Sequence, residues 1–241
     1  MAAIDIFLRK LSRHDDLSPN EIAALRDLPG ALREVRAGQD VVRAHQRMEH
    51  SSLLLSGLCG RYSALRDGRR QYTEINVPGD FVDLHSFVIK QLDHGIVAFS
   101  TSRFFEVPHT ALAELTAAHP HLTRLLWLET VIDAAIHRQW LLAMGRQNGP
   151  ARLARLICEL YLRLESAELA RGLRMDLPMT QHELGETLGF TAVHTNRTLQ
   201  ALRERQLLDW EDQQIEIHDW EGLADLAEFD PRYLRLTREP V

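Results

Sequence analysis

The chain has 241 residues, 45% hydrophobic and 26% charged, with 28 Lys and Arg against 34 Asp and Glu and a formal charge of −6. This supplies a core for one large domain or two small ones and excludes a disordered or collagen-like chain. Two cysteines exclude a disulfide framework and any four-cysteine zinc or iron–sulfur site within one chain. No apolar run nears the roughly 20 residues that cross a bilayer. The start, Met1-Ala2-Ala3-Ile4-Asp5, lacks a basic segment followed by a long apolar one, so a cytoplasmic protein with no membrane partner is expected. The acidic balance alone speaks against a nucleic-acid partner.

Ile4, Phe7, Leu8 and Leu11 stand at helical spacing, and Ser18-Pro19-Asn20-Glu21 reads as an N-cap, a first-turn proline and a capping-box glutamate. Two short helices therefore open the chain. Over residues 30–108 the pattern changes to short runs of Val, Leu, Ile, Tyr and Phe. Gly38, Gly57, Asp67-Gly68, Pro78-Gly79-Asp80 and Asp93-His94-Gly95 part these runs, and the section reads as all-β. Its clearest element is a hairpin of residues 59–65 and 71–77 around Asp67-Gly68.

Helical spacing returns at Ala111, Leu112 and Leu115 and continues in a long helix over about residues 121–144. Leu125, Leu128, Ile132, Ala135 and Leu142 form a heptad-like seam interrupted by Gln139, and Ile136, Trp140, Ala143 and Met144 form a second apolar face. One face is expected to cover the β section and the other to meet the same helix of a second subunit; a wholly intrachain core helix is the alternative. Gly145-Arg146-Gln147-Asn148-Gly149-Pro150 breaks the pattern and reads as a domain boundary and hinge. Beyond it Leu153, Leu156, Ile157, Leu160, Tyr161 and Leu164 mark an amphipathic helix with Arg152, Arg155, Glu159 and Arg163 outside.

Thr180-Gln181-His182-Glu183 is a further capping box, starting a helix with Leu184 and Leu188 inward and Gly185 where a crossing helix comes close. Gly189 ends that helix in a tight turn, Phe190 follows as a buried plug, and Thr191 caps a second helix whose inner stripe is Thr195, Thr198, Leu199 and Leu202. Together they make a helix-turn-helix. Leu207-Leu208-Asp209-Trp210 and Gln214-Ile215-Glu216-Ile217 around Glu211-Asp212-Gln213 add a wing. Ala192, Val193, Asn196, Arg197, Gln200 and Arg203 face outward, types that suit base edges in a major groove. An ordinary helical hairpin with a solvated face is the bland alternative.

Residues 179–202 resemble the winged helix-turn-helix signature of the Crp/Fnr transcription regulators. Leu54-Leu55-Ser56-Gly57, Asp67-Gly68-Arg69-Arg70-Gln71 and Pro78-Gly79-Asp80-Phe81 resemble that family's β-roll sensor. The resemblance implies an α+β chain: N-terminal helices and a cyclic-nucleotide-binding-like β-roll over residues 1–115, a dimerisation helix over 116–146, a winged helix-turn-helix over 147–222 and a C-terminal tail over 223–241. It further implies a homodimer on a palindromic promoter, RNA polymerase as partner, and a small-molecule effector still to be identified. The DNA-contacting positions fall on Thr180, Thr191, Ala192, Val193, Asn196, Arg197 and Gln200, and the effector pocket on Gly79, Asp80, Phe81, Leu84 and His94.

Many members carry a glutamate where this chain has Val193, which cannot accept from cytosine N4, so a different half-site is expected. Where the family's cyclic-nucleotide binders hold the phosphate with an Arg-Ser/Thr pair, this chain reads Gly95-Ile96, which disfavours cyclic AMP. Haem, which needs one axial imidazole, is weighed on His45, His50, His85 and His94, and a thiol switch on Cys59; scattered imidazoles and a small buried apolar cysteine are the commoner readings. Only His119 and His121 are spaced as a metal pair, so neither a metal nor a cofactor is expected.

A cupin-like metal enzyme would need a clustered His-x-His pair in the β section, and neither Gly-x-Ser-x-Gly nor Gly-x-x-x-x-Gly-Lys occurs, so no enzyme is expected. A module that has lost DNA binding is opposed by Asn196 and Arg197. Residues 145–241 hold −5 of the charge, yet 191–206 carry a local +2 with Arg197, Arg203 and Arg205 against Glu204, which forecasts weak non-specific binding.

Overall fold

The computed structural model describes residues 4–240. Residues 1–3, where the expected sensor domain begins, and residue 241, at the end of the expected tail, lie outside the described residues. Helix α1 (Asp5–His14) turns Phe7, Leu8 and Leu11 inward. Helix α2 (Pro19–Arg26) starts at the anticipated capping box, with Ser18 Oγ accepting from Glu21 N at 3.3 Å and Glu21 Oε2 accepting from Ser18 N at 2.8 Å.

The strands that follow are β1 (Ala31–Val35), β2 (Asp40–Val42), β3 (His50–Ser56), β4 (Cys59–Ala64), β5 (Arg70–Asn76), β6 (Gly95–Ala98) and β7 (Ser102–Pro108). They pair antiparallel in sheets ordered β1-β7-β3 and β2-β6-β4-β5. Val35, Val42, Leu54, Cys59, Ile96 and Phe104 fill the space between the sheets. The β4–β5 hairpin closes at Asp67-Gly68, with Gly68 at φ +86° and Leu65 N donating to Arg69 O at 2.9 Å. A one-turn helix, α3 (Ser86–Ile89), interrupts the strands; it is too short to leave a period in the sequence.

Helix α4 (His109–Ala118) leads into α5 (Pro120–Arg146). The seam read from the sequence is divided. Leu125 and Ile132 are buried in the chain's own core with Leu122, Ile136 and Trp140, while Leu142 is exposed. The uncovered apolar stripe is instead Trp127, Val131, Leu141 and Leu142, with Trp127 69% and Leu141 73% exposed. A straight α-helix drifts about 20° per heptad, so over this length a seven-residue seam passes from one side to another. The helix also runs through Gly145 and Arg146, and the break narrows to Gln147 and Asn148; Asn148 Oδ1 caps α6 (Gly149–Ser166) by accepting from Ala151 N at 3.0 Å.

Helix α6 corrects a second expectation, since Arg155, Glu159 and Arg163 are buried rather than outside. For Arg155 and Glu159 the reason lies at the C-terminus. Residues 223–234, expected as part of a tail, complete α9 (Trp220–Ala227) and form a 3-10 turn (Pro231–Leu234), which lay Leu223, Ala227 and Leu234 against α6. Arg155 donates to the carbonyls of Ala227 and Glu228, both at 2.9 Å. Glu159 accepts from Tyr233 Oη at 2.7 Å and from Trp140 Nε1 at 3.1 Å. Burial of charge is tolerated where each group is paired in this way. Strands β8 (Ala170–Arg171) and β9 (Arg174–Asp176), unforeseen from the sequence, extend the wing strands β10 (Leu208–Glu211) and β11 (Gln214–Ile217) into a sheet ordered β10-β11-β9-β8.

One buried carboxylate joins the halves. Asp80, in the turn after β5, accepts from Val77 N at 2.8 Å, from Lys10 Nζ of α1 at 2.7 Å and from Arg163 Nη2 of α6 at 2.7 Å. Lys10 also reaches Glu129 of α5. Burial by itself raises the Asp80 carboxyl, and the two cations outweigh it and hold it below the usual carboxylate range. Asp80→Ala, which takes their shared partner from the buried Arg163 and the half-buried Lys10, is expected to lower the unfolding free energy by about 3–5 kcal/mol in urea titration. A loss within experimental error would show that the network contributes nothing.

Candidate nucleic-acid interface and sensor site

Helix α7 (Gln181–Leu188) starts at Thr180, whose Oγ1 accepts from Glu183 N at 3.2 Å while Thr180 N donates to Glu183 Oε2 at 2.7 Å. Gly189 ends it at φ +68°, a conformation that costs glycine least. A Cβ on Gly185 would lie 3.0 Å from Thr195 Oγ1 and 3.1 Å from Phe190 O, the close crossing expected there. Phe190 is half-buried rather than a buried plug; its ring stands edge-on to His194 with centroids 4.2 Å apart and Arg152 stacks over it at 5.1 Å. Thr191 Oγ1 accepts from His194 N at 3.3 Å and opens α8 (Ala192–Glu204), which buries Thr195, Thr198, Leu199 and Leu202.

On the other side of α8, Ala192, Val193, Asn196, Arg197 and Gln200 are all exposed. Arg203, expected among them, is committed elsewhere: its Nη2 donates to Trp210 O at 2.6 Å and its Nε lies 3.3 Å from Asp209 Oδ1. It braces the wing, so the basic character of the reading face rests on Arg197. The β10–β11 connection is Asp212-Gln213, at φ +47° and +65°, the two left-handed residues of a tight hairpin loop, and Glu211 belongs to the strand. Thr180 and Thr191 mark the N-termini of α7 and α8, where backbone N–H groups favour phosphate.

Residues 151–226 match the Crp-like helix-turn-helix domain, and residues 32–119 match the cyclic nucleotide-binding domain. The chain belongs to the Crp/Fnr family of transcription regulators. This DNA-binding regulator is 25% identical over 211 residues to the transcriptional activator protein FnrA of Stutzerimonas stutzeri, covering 88% of this chain and 86% of FnrA. Its fold is similar to that of FixK2 from Bradyrhizobium japonicum, with a TM-score of 0.74 at 23% identity over 83% of this chain and 98% of FixK2. It is also similar to the c-di-GMP responsive regulator CLP of Xanthomonas campestris, at a TM-score of 0.66 and 14% identity over 84% of this chain and all of CLP. No helix among the described residues is long and apolar enough to cross a membrane.

In the sensor of this Crp/Fnr regulator, Asp80, Phe81 and Leu84 line a cleft of about 80 Å³ together with residues of α1, α5 and α6. Gly79 turns at φ +99° against Ile6, and His94 lies outside the lining of that cleft, so the five residues expected in one pocket do not share it. Asp80 is already held by Lys10 and Arg163. Gly95 is buried in β6, where a Cβ would lie 2.4 Å from the Tyr62 ring. His50 stands 3.3 Å from Glu106, His45 is exposed, and His121 pairs with Glu21 at 2.8 Å and Asp15 at 3.2 Å, so His119 and His121 do not act as a pair. Burial pushes both thiols up, that of Cys158 to about 12.

A cluster that sequence spacing did not disclose occupies the sensor interior. Arg61 Nη1 of β4 lies 2.8 Å from Glu74 Oε2 of β5 and 3.1 Å from Asp133 Oδ2 of α5, and its Nη2 donates to Val82 O at 3.1 Å. Burial raises the Glu74 carboxyl well above the usual range against the pull of Arg61. Asp83 accepts from Ser52 N at 2.5 Å and from Ser52 Oγ at 3.2 Å, and burial nevertheless pushes it up to about 7. Burial and then Arg61 hold His85 at about 3 and His94 below the ordinary imidazole value.

Because the folded Asp83 binds its proton more tightly than the unfolded chain does, its contribution to stability is complete below pH 3.8 and fades as pH rises toward about 7. Asp83→Asn retains an acceptor for Ser52 and removes the ionisation. Its melting temperature is expected to gain on the parent's through that window and to stay ahead above it. A difference that does not vary with pH would remove this assignment.

Proposed function

We propose that this regulator is a homodimer that sets α8 of each subunit in the major groove of a palindromic promoter site. The observation that carries it is the uncommitted outward face of α8, on which Asn196 and Arg197 make no side-chain hydrogen bond or ion pair among the described residues. Arg197 suits guanine O6 and N7, Asn196 suits adenine N6 and N7, and Ala192 and Val193 suit thymine methyls, with Gln200 beside them. Thr180 and Thr191 start helices whose N-termini suit flanking phosphates. The exposed stripe Trp127, Val131, Leu141 and Leu142 on α5 fits the same stripe of a second copy, the isologous contact of a two-fold dimer. RNA polymerase is the protein partner the family resemblance suggests, and the cytoplasm the compartment.

The sensor does not answer to cyclic AMP. Support comes from Gly95, which lies under Tyr62 where the phosphate-holding arginine would stand, and from Arg61, which is already engaged by Glu74 and Asp133. A thiol switch is opposed by the raised thiols of two buried cysteines, and haem by a cleft smaller than the roughly 300–1,000 Å³ of cofactor sites.

On an operator selected from a random palindromic pool, Arg197→Ala is expected to cost about 1–3 kcal/mol per half-site and to relax preference at one base pair. Uniform weakening on every sequence would count against base reading. Trp127→Glu combined with Leu141→Glu is expected to give a folded monomer by light scattering, with operator affinity lost together with the dimer; a dimer that persists would move the interface off α5.

A further inference from the structure

Nine positions apart in sequence, His85 at the start of α3 and His94 just before β6 are brought face to face, with His85 Nε2 3.4 Å from His94 Nε2 and ring centroids 5.2 Å apart. At that separation a direct N–H···N bond would be a long one, since even N–H···O bonds mostly span about 2.7–3.2 Å. Two imidazole nitrogens bound to one tetrahedral ion at about 2.0–2.1 Å stand about 3.3–3.4 Å apart. The observed separation matches that spacing of two ligands on one ion.

The outer contacts fit the same role. Asp93 Oδ1 lies 2.9 Å from His94 Nδ1. A carboxylate there keeps the proton on Nδ1 and leaves the Nε2 lone pair facing His85, as with the outer partners of metal-bound histidines. His85 lines the cleft of about 80 Å³, which gives an approach from outside. Asp93 and Asp133 supply negative charge around the pair, and Arg61, which opposes a cation, is itself bound between Glu74 and Asp133. The three-residue group Glu74, Asp133 and His137 is the less suitable place, because Arg61 already stands among its carboxylates.

We propose that His85 and His94 form a site for a divalent first-row transition ion of the Zn²⁺ class, with the remaining coordination positions open to water or to an effector. Two imidazoles with open positions make an exchangeable site rather than a closed structural one. An ion there would tie the start of α3 to the start of β6. The proposal concerns the sensor alone and is tested without DNA, so it stands or falls separately from the operator reading.

The test uses the full-length protein with any purification tag removed, stripped by chelator and titrated with Co²⁺. Visible d–d absorption of a low-symmetry site is expected, saturating at a single equivalent per chain and displaced by Zn²⁺. His85→Gln and His94→Gln should each abolish it, and Asp93→Asn should weaken binding about 10–100-fold. His45→Gln, at an exposed imidazole, should leave it unchanged. Metal-free circular dichroism and melting of each variant establish that the fold persists, and if one histidine variant fails to fold, the other and Asp93→Asn carry the test. Absence of the band in the parent, its survival in either folded histidine variant, or its loss in His45→Gln would overturn the proposal.

Discussion

A carboxylate taken out of water must find opposite charge and hydrogen-bond donors, or it takes up a proton or destabilises the fold. Asp80 meets that demand by drawing in Lys10 from α1 and Arg163 from α6, with the Val77 amide as third donor. The sensor's turn, its N-terminal helix, the long helix through Glu129 and the first helix beyond the hinge therefore meet at one point. The contact with Asp80 accounts for the burial of Arg163 on the side of α6 that its periodicity marks as solvent.

The DNA-binding half is accordingly not suspended from the sensor by the hinge alone. Tyr72, Val97 and Phe99 of the sensor share a core with Leu156, Leu160 and Leu188 beyond the hinge. Gln71 Nε2 of β5 donates to Thr187 O of α7 at 2.9 Å, and Arg152 Nη1 donates to Leu188 O at 2.7 Å. Both bonds satisfy carbonyls in the last turn of α7, which a helix leaves without partners of its own. The turn before α8 is thus held by groups from the β4–β5 hairpin and from α6.

Charge is distributed to the same end. The chain is acidic overall, and Arg203 is withdrawn from the reading face to brace the wing. The exposed positive charge of the outward face of α8 is thereby confined to Arg197 rather than spread over a broad basic surface.

The sequence by itself determined the local features: both capping boxes, the Asp67-Gly68 hairpin, the glycine turn at Gly189, the inner stripe of α8 and the order of sensor, long helix and winged reader. Each is set by interactions within a few residues, or by a period that one element imposes on its own side chains. Only the tertiary structure decided the rest. Which stripe of α5 is left uncovered depends on how a straight helix drifts against a heptad. The burial of Arg155 and Glu159 depends on α9 and the 3-10 turn lying across α6, and that of Arg163 on Asp80 reaching it from the β-sheet half. The meetings of Arg61 with Glu74 and Asp133, of Arg203 with the wing, and of His85 with His94 join separate elements, and spacing along a chain carries no record of contacts that packing alone creates.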